Sequence, residues 1–371
     1  MRIFHTSDTH LGHQQYPRTD GNGLNQREQD IYDAWHKVVD LAVAEKPDLF
    51  LHAGDLFDGV RPGNRALAHA MEGFLELSRA GIPTVAIAGN HEHPKLRETG
   101  SPFRLFAHLP NVHMVYRGAR ETITIPTSAG TVRVHAVPQC ADNATLASEV
   151  AAAPIGSDGT DILVAHGAVP SVAAFSHAEF NEQTLDPAWF GRFGYVALGH
   201  FHGVQEVAAN AWYCGAPERV SMSEAGQEKG FLEVNLGAGS IRASFRPLAG
   251  RTYVDLPVVE AGGLDATALK AQAMEGLARA PAGAVARLRL AGIDPALRGV
   301  LDLRAIRQAG AHLMHLDLRL DWATAGLDAR GGTELRGVLP EFDAFAATQP
   351  AEGVDRERLV AAARTVLEAA T

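Results

Sequence analysis

The chain has 371 residues, 46% apolar and 20% charged, which gives room for two or three domains with a buried core and excludes wholesale disorder. Its net charge of −10, from 33 basic and 43 acidic residues, argues against a passive nucleic-acid sleeve, although bound divalent cations would reverse part of that balance where acidic ligands sit. There is no apolar run of about 18 residues to span a membrane and no basic-then-apolar leader, and Cys140 and Cys214 are too few and too far apart for a disulfide framework or a CxxC zinc site, so a cytoplasmic protein is expected.

Arg2–Thr6 reads as a short strand ending at Ser7 and Asp8. Ile31, Trp35, Val38 and Ala42 recur at helical spacing over residues 25–45. Asp48–Ala53 and Pro83–Ala88 read as buried strands, with a helix over Ala66–Ser78 between them. This alternation implies a parallel sheet covered by helices. From about residue 112 the pattern turns to hairpins. Strands are expected at Val112–Tyr116, Glu121–Ile125, Thr131–Val137, Asp161–Ala165, Tyr195–Leu198, Val204–Ala208, Trp212–Cys214, Phe231–Leu236 and Ser240–Arg246. Beyond Arg251 a compact β-α-β-α-β unit is expected: Val254–Val259, Leu264–Ala280, Ala284–Leu290, Asp294–Gln308 and His312–Leu320. Residues 323–338 read as a Gly-rich linker, Pro340 as the opening of a short helix, and Asp355–Ala369 as a last amphipathic helix. The expected class is α/β: two packed sheets flanked by helices (1–250), a small α/β capping domain (251–322), and a linker with a helical tail (323–371).

Of the 17 histidines, 15 precede residue 251, which puts the chemistry in the first part. Five segments share one design: Ser7–Gly12, Gly54–Asp58, Gly89–Glu92, Ala165–Gly167 and Gly199–His202. Each follows an expected strand, and ligands of parallel α/β sheets bind just beyond the carboxyl ends of strands. Aspartate oxygens and imidazole nitrogens suit Mn, Fe or Zn. An Asp-x-His pair at a strand exit can turn two donors toward one ion. Asp55 can share its two oxygens between two ions. Any one segment alone has a bland reading, as a loop, a turn or a partly buried histidine. All five in order point to a dinuclear metal site.

This ordered set resembles the calcineurin-like metallophosphoesterase superfamily, whose fold is a two-sheet sandwich. Within it, the stretch Met1–Gly12, a long insertion and then Gly54–Asp58 is similar to the SbcD-type nucleases of bacterial SbcCD complexes and to the nucleases of archaeal and eukaryotic double-strand-break repair. The resemblance implies one ion held by Asp8, His10, Asp55 and His202, and a second by Asp55, Asn90, His166 and His200. It implies two divalent ions, with manganese as the metal, and His91 as the non-ligand histidine near the scissile phosphate. At Asp58 the archaeal and eukaryotic relatives carry a second histidine, so a purely structural role for Asp58 stays open.

The metal site implies a phosphoester without saying which. His13, Tyr16, Arg18, Arg61, Arg65, Lys95 and Arg97 follow the first three motifs and are candidate DNA contacts, with solvated surface groups as the plain alternative. No GxxxxGK[ST] motif occurs, so ATP dependence would come from another polypeptide. The resemblance implies an SbcC-type coiled-coil ATPase, for which the C-terminal tail is the natural docking element, and a homodimer. Met71, Phe74, Phe103 and Phe106 are candidate dimer residues that could equally be core, and the tail helix could instead pack on the capping domain. The implied activity is a manganese-dependent DNA exonuclease and endonuclease in repair and recombination. The alternatives are a phosphoesterase acting on nucleotides or phosphoproteins, or a DNA-end tethering scaffold.

Overall fold

The computed structural model describes residues 1–93, 100–127, 130–156, 161–172, 182–237, 240–323 and 356–370, with the isolated positions 339, 342, 343 and 346. The first elements are β1 (Arg2–Thr6), α1 (Gln26–Glu45), β2 (Leu49–His52), α2 (Asn64–Arg79), β3 (Thr84–Ile87), β4 (Val112–Val115), β5 (Glu121–Thr127) and β6 (Gly130–Val137). Then follow α3 (Asn143–Ala151), β7 (Asp161–His166), β8 (Tyr195–Gly199), β9 (Gln205–Ala208), β10 (Ala211–Tyr213), β11 (Gly230–Gly237) and β12 (Ser240–Pro247). The last are β13 (Tyr253–Asp255), β14 (Val259–Glu260), α4 (Ala266–Ala278), β15 (Val285–Ile293), α5 (Leu303–Ala309), β16 (His315–Trp322) and α6 (Arg356–Ala370).

Two six-stranded sheets form, in the orders β12-β11-β1-β2-β3-β4 and β5-β6-β7-β8-β10-β9. Strands β1 to β4 are parallel, as are β6, β7, β8 and β10. Antiparallel strands complete the edges. Alternation along each strand serves two cores. Ile3, Leu49, Leu51, Val85 and Ile87 meet Ile123, Val134, Ile162 and Val164 between the sheets. Phe4, Phe50 and Ala86, on the other parity, pack under Ile31, Trp35, Val38 and Phe74 of the helices.

The side chain of Asn25 caps α1 by accepting from the backbone N–H groups of Arg27 and Glu28, and Lys46 ends the helix in the left-handed region (φ 49°). Helix α2 comes close to α1. A methyl group on Gly73 would lie 2.4 Å from Trp35 Nε1, so the approach needs glycine. Trp35 is fully buried there, and an indole in such a site contributes about 3–5 kcal/mol relative to alanine. Phe74, Phe103 and Phe106 are also fully buried in this core and present no dimer seam; Met71 packs against it, half-buried.

Residues 254–322 build a separate core, with Leu269, Ala273 and Leu277 of α4 against Leu288, Leu290 and Ile306. The sheet is parallel, with β13 and β14 pairing successive stretches of β15 and β16 also paired with β15. The expected strand Val254–Val259 is thus two short ones, and Pro257, which has no N–H for a ladder, lies in the gap. The expected helix Asp294–Gln308 is likewise split. A single 3₁₀ turn, Pro295–Leu297, is followed by Gly299 at φ 87°, and α5 restarts where the Asp302 side chain accepts from Ala305 N–H. Phe103 and Phe106 lie on a 3₁₀ helix, Pro102–Phe106. Helix α3, short and with only Leu146 and Val150 buried, was not anticipated. Helix α6 stands where its spacing places it; the linker 324–338 and Pro340 lie outside the described residues. No helix among the described residues is long and apolar enough to cross a membrane.

Candidate metal centre

The carboxyl ends of β1, β2 and β3 in one sheet meet those of β7 and β8 in the other. Asp8 N–H donates to the Gly54 carbonyl (2.9 Å) and His10 N–H to the Asp55 carbonyl (3.0 Å), which locks the first two exits together. His200 N–H, leaving β8, donates to the Asp8 carboxylate at 3.0 Å. A methyl group on Gly54 would fall 2.3 Å from His166 Nδ1, so a bare backbone is needed where the sheets touch. Asp8 (φ 53°), His10 (46°), Asp55 (52°) and His200 (104°) all hold left-handed backbone here. Such conformations cost on the order of 1–3 kcal/mol each and cluster where side chains must converge.

At these strand ends three groups of donor atoms, each within 4.8 Å of one another, occur among the described residues: Asp8, His10 and His202; His10, Asp55 and His91; Asp55, His166 and His200. Asp55 is common to two of them. Its Oδ2 is 3.3 Å from His166 Nε2, 3.9 Å from His10 Nε2 and 3.9 Å from His91 Nε2. Asn90 Oδ1 lies 2.9 Å from His166 Nε2. All seven expected ligands are therefore brought together. His91 joins them as a neighbour of His10, with ring centroids 4.7 Å apart.

The donor set fits cations. His166 Nδ1–H donates to the Ala53 carbonyl (2.9 Å), so the neutral ring turns an Nε2 lone pair toward the oxygens of Asn90 and Asp55. His202 Nδ1–H donates to Glu224 (3.1 Å), leaving its Nε2 3.1 Å from His10 Nε2. Acceptors facing acceptors are unfavourable until a positive charge sits between them. Without one, protons take that place. Burial disfavours charge on His166, but Asp55 outweighs it and raises the imidazole to about 9. Burial opposes the Asp55 charge, yet His166, His10 and His91 hold the carboxyl well below the usual range. His10 is lowered by burial, and the charges of His202 and His91 act the same way. Borderline divalent ions accept such mixed oxygen and nitrogen donors, and their outer partners fix each ring's tautomer.

Residues 1–204 match the family model of the calcineurin-like phosphoesterases. The chain belongs to this family. It is similar to the DNA double-strand break repair protein Mre11 of Methanococcus maripaludis, with 29% identity over 233 residues, 60% of this chain and 59% of the relative. The Mre11 of Haloferax volcanii is 31% identical over 265 residues, 70% of this chain and 55% of the relative. That of Thermoplasma acidophilum is 28% identical over 247 residues, covering 64% and 62%. The match thus spans between half and two thirds of the length of these relatives.

Among the described residues, the basic and aromatic groups behind the motifs of this phosphoesterase do not form one open rim. Tyr16 stacks on His315 of the C-terminal unit (centroids 3.8 Å, 14°), and Arg18 Nη1 donates to the Leu313 carbonyl. Both join the two units, Tyr16 half-buried and Arg18 still exposed. His13 contacts Asp58 Oδ1 (3.0 Å) and the Val220 carbonyl (3.2 Å). Arg65 pairs with Glu28 at 2.7 Å, and Arg61 is exposed. Lys95 and Arg97 lie outside the described residues. Asp58 has a positioning role: its carboxylate lies 3.5 Å from His10 Nδ1, and its carbonyl accepts from His91 Nδ1–H at 3.1 Å.

Sequence reasoning missed the carboxylates that hold the rings. Glu182 lies 2.9 Å from His200 Nε2. Glu92, fully buried, accepts from Phe57 N–H (2.7 Å) and Gly89 N–H (2.9 Å), stitching two ligand loops; burial and the Asp55 charge raise its carboxyl to about 8. Its signal was present as the last residue of Gly89–Glu92. Glu224 holds His202 and pairs with Lys229 at 2.5 Å. Burial opposes its charge, but the His202 hydrogen bond and charge, with Lys229, lower it from 4.5 to about 2. Its stabilisation is complete above the unfolded value near 4.5 and is lost as pH falls through about 2, on the order of 3 kcal/mol in all. Acid titrations of metal-free protein should therefore show Glu224→Gln losing less stability than wild type between pH ~5 and ~2; equal losses would refute the pairing.

Proposed function

We propose that the chain is the nuclease subunit of an SbcCD-type DNA end-processing complex: a metal-dependent phosphodiesterase that cuts duplex DNA ends as an exonuclease and single-stranded or hairpin DNA as an endonuclease. The observation that carries this reading is the single buried carboxylate, Asp55, shared between two histidine groups at the meeting of two sheets. The similarity to proteins named for double-strand break repair supports DNA as substrate.

In this reading Asp8, His10, Asp55 and His202 hold one ion, and Asp55, Asn90, His166 and His200 hold the other. Two manganese ions bound there supply charge against the anionic phosphodiester and lower the pKa of a water. The chain's own groups do the positioning. The Ala53 carbonyl and Glu224 keep the Nε2 atoms of His166 and His202 turned inward. The Asp58 carbonyl holds His91 Nδ1, which points Nε2 to the site, where a protonated ring gives its proton to the leaving oxygen. The working parts are a nuclease domain (1–250), a capping domain (251–322) and a partner-docking tail (323–371), in a cytoplasmic homodimer.

The test is cleavage by the purified chain with manganese. Duplex DNA with free and with blocked ends is compared with a cyclic nucleotide, with and without the coiled-coil ATPase. Degradation of DNA is expected. Hydrolysis of the nucleotide with DNA intact would make the chain a nucleotide phosphoesterase, and DNA binding without cleavage a tether.

The tail gives a separate prediction. Leu359 on α6 is 61% exposed, an apolar side chain that a partner groove would cover. A chain ending at Val338 should keep its metals and its manganese-dependent cleavage of single strands, and fail to co-purify with the ATPase. Unimpaired co-purification would move the partner interface elsewhere.

A further inference from the structure

We propose that His36, His69 and Glu72 form a second, separate site for a zinc-type divalent cation, bridging α1 and α2 on the face away from the sheets. His36 comes from α1; His69 and Glu72 come from α2, three residues apart and so on one face. Their donor atoms form a group with no member in common with the dinuclear centre. His36 Nε2 is 2.9 Å from His69 Nδ1, Glu72 Oε2 is 3.5 Å from His69 Nδ1, and His36 Nε2 is 3.8 Å from Glu72 Oε2.

These separations are close to what an ion requires. Two ligands about 2.0–2.1 Å from a tetrahedral ion lie about 3.3–3.4 Å apart. The two imidazoles need to part by about 0.4 Å and Glu72 to close on His36 by about as much, and neither ring is buried. Two imidazoles and one carboxylate are the donor types that favour zinc over magnesium or calcium, with the remaining position open to water.

The surroundings hold the donors in place. The His69 ring stacks on Tyr32 (centroids 4.0 Å, 27°), and Trp35 Nε1–H donates to the His69 carbonyl at 3.0 Å. The close helix approach at Gly73 fixes the distance between α1 and α2. A bound ion would tie the two helices that cover the nuclease core.

The experiment counts zinc in the full chain. Wild type, His36→Gln and Glu72→Gln are saturated with zinc, freed of loose metal and analysed, with the dinuclear centre intact in all three. Each variant should hold one equivalent fewer than wild type and should show a smaller rise in melting temperature than wild type on adding zinc to metal-depleted protein, because only the dinuclear centre is left to bind it. Cleavage of DNA should not change. Melting in chelator checks folding; if His36→Gln melts early there, Glu72→Gln, whose side chain is 59% exposed, decides. A full zinc count in the deciding variant overturns the site. The comparison is between chains with the same active site, so it stands even if DNA is not the substrate.

Discussion

Replacing Asp55 by alanine is expected to abolish cleavage and to remove metal from both halves of the centre at once. Its carboxylate lies 3.3 Å from His166 and 3.9 Å from both His10 and His91, and among these donor groups it is the carboxylate that two of them share. Charge stabilisation by bound ions is worth several kcal/mol, and each 1.4 kcal/mol is tenfold, so the loss should be about 10³-fold or more. Asp55→Asn separates charge from shape. Asparagine tolerates the left-handed backbone at φ 52° and keeps an oxygen for the His91 N–H, which Asp55 Oδ1 accepts at 3.1 Å. It should fold as wild type and still lose metal. Elemental analysis after manganese saturation checks this. Two tightly held ions in Asp55→Ala would refute the shared role.

The five ligand-bearing segments were legible because they depend on residue types at strand exits. Glycine permits the turn, and aspartate and histidine supply donors, whatever the rest of the fold does. The two-sheet core was legible for a related reason, since strands covered on both faces read as unbroken apolar runs, as in Leu49–Leu51 and Val85–Ile87. The partner carboxylates were not legible. Glu224 acts on a histidine 22 positions away, which nothing in its own neighbourhood announces, and Glu92, although it closes the Gly89–Glu92 motif, acts on a backbone N–H 35 positions away. Tyr16 and Arg18 read as candidate DNA contacts because they follow a metal motif. Only the fold shows that both also contact residues 313–315. The same holds for Phe103 and Phe106, whose apolar faces read alike whether turned to a second copy or to Phe57.

Replacing His91 by alanine should leave two ions bound and lower turnover by about 10²–10⁴-fold, the usual worth of a positioned acid or base. The geometry allows two roles, and the metal count separates them. His91 Nε2 stands in one donor group with His10 and Asp55, as a ligand would. Yet its approach to Asp55 Oδ2 is 3.9 Å, longer than the 3.3 Å of His166, and its side chain is 32% exposed where those of His10 and His166 are almost wholly buried. A group at the open side of the centre is placed to meet a substrate oxygen. Its other nitrogen is spoken for by the Asp58 carbonyl at 3.1 Å, so the ring is aimed rather than mobile. If the role is proton donation, His91→Asn should keep the metals and the fold and fail as badly as alanine, because an amide offers a hydrogen bond without a transferable proton. Cleavage near the wild-type rate in either variant would end the catalytic assignment, and loss of an ion in both would make His91 a ligand.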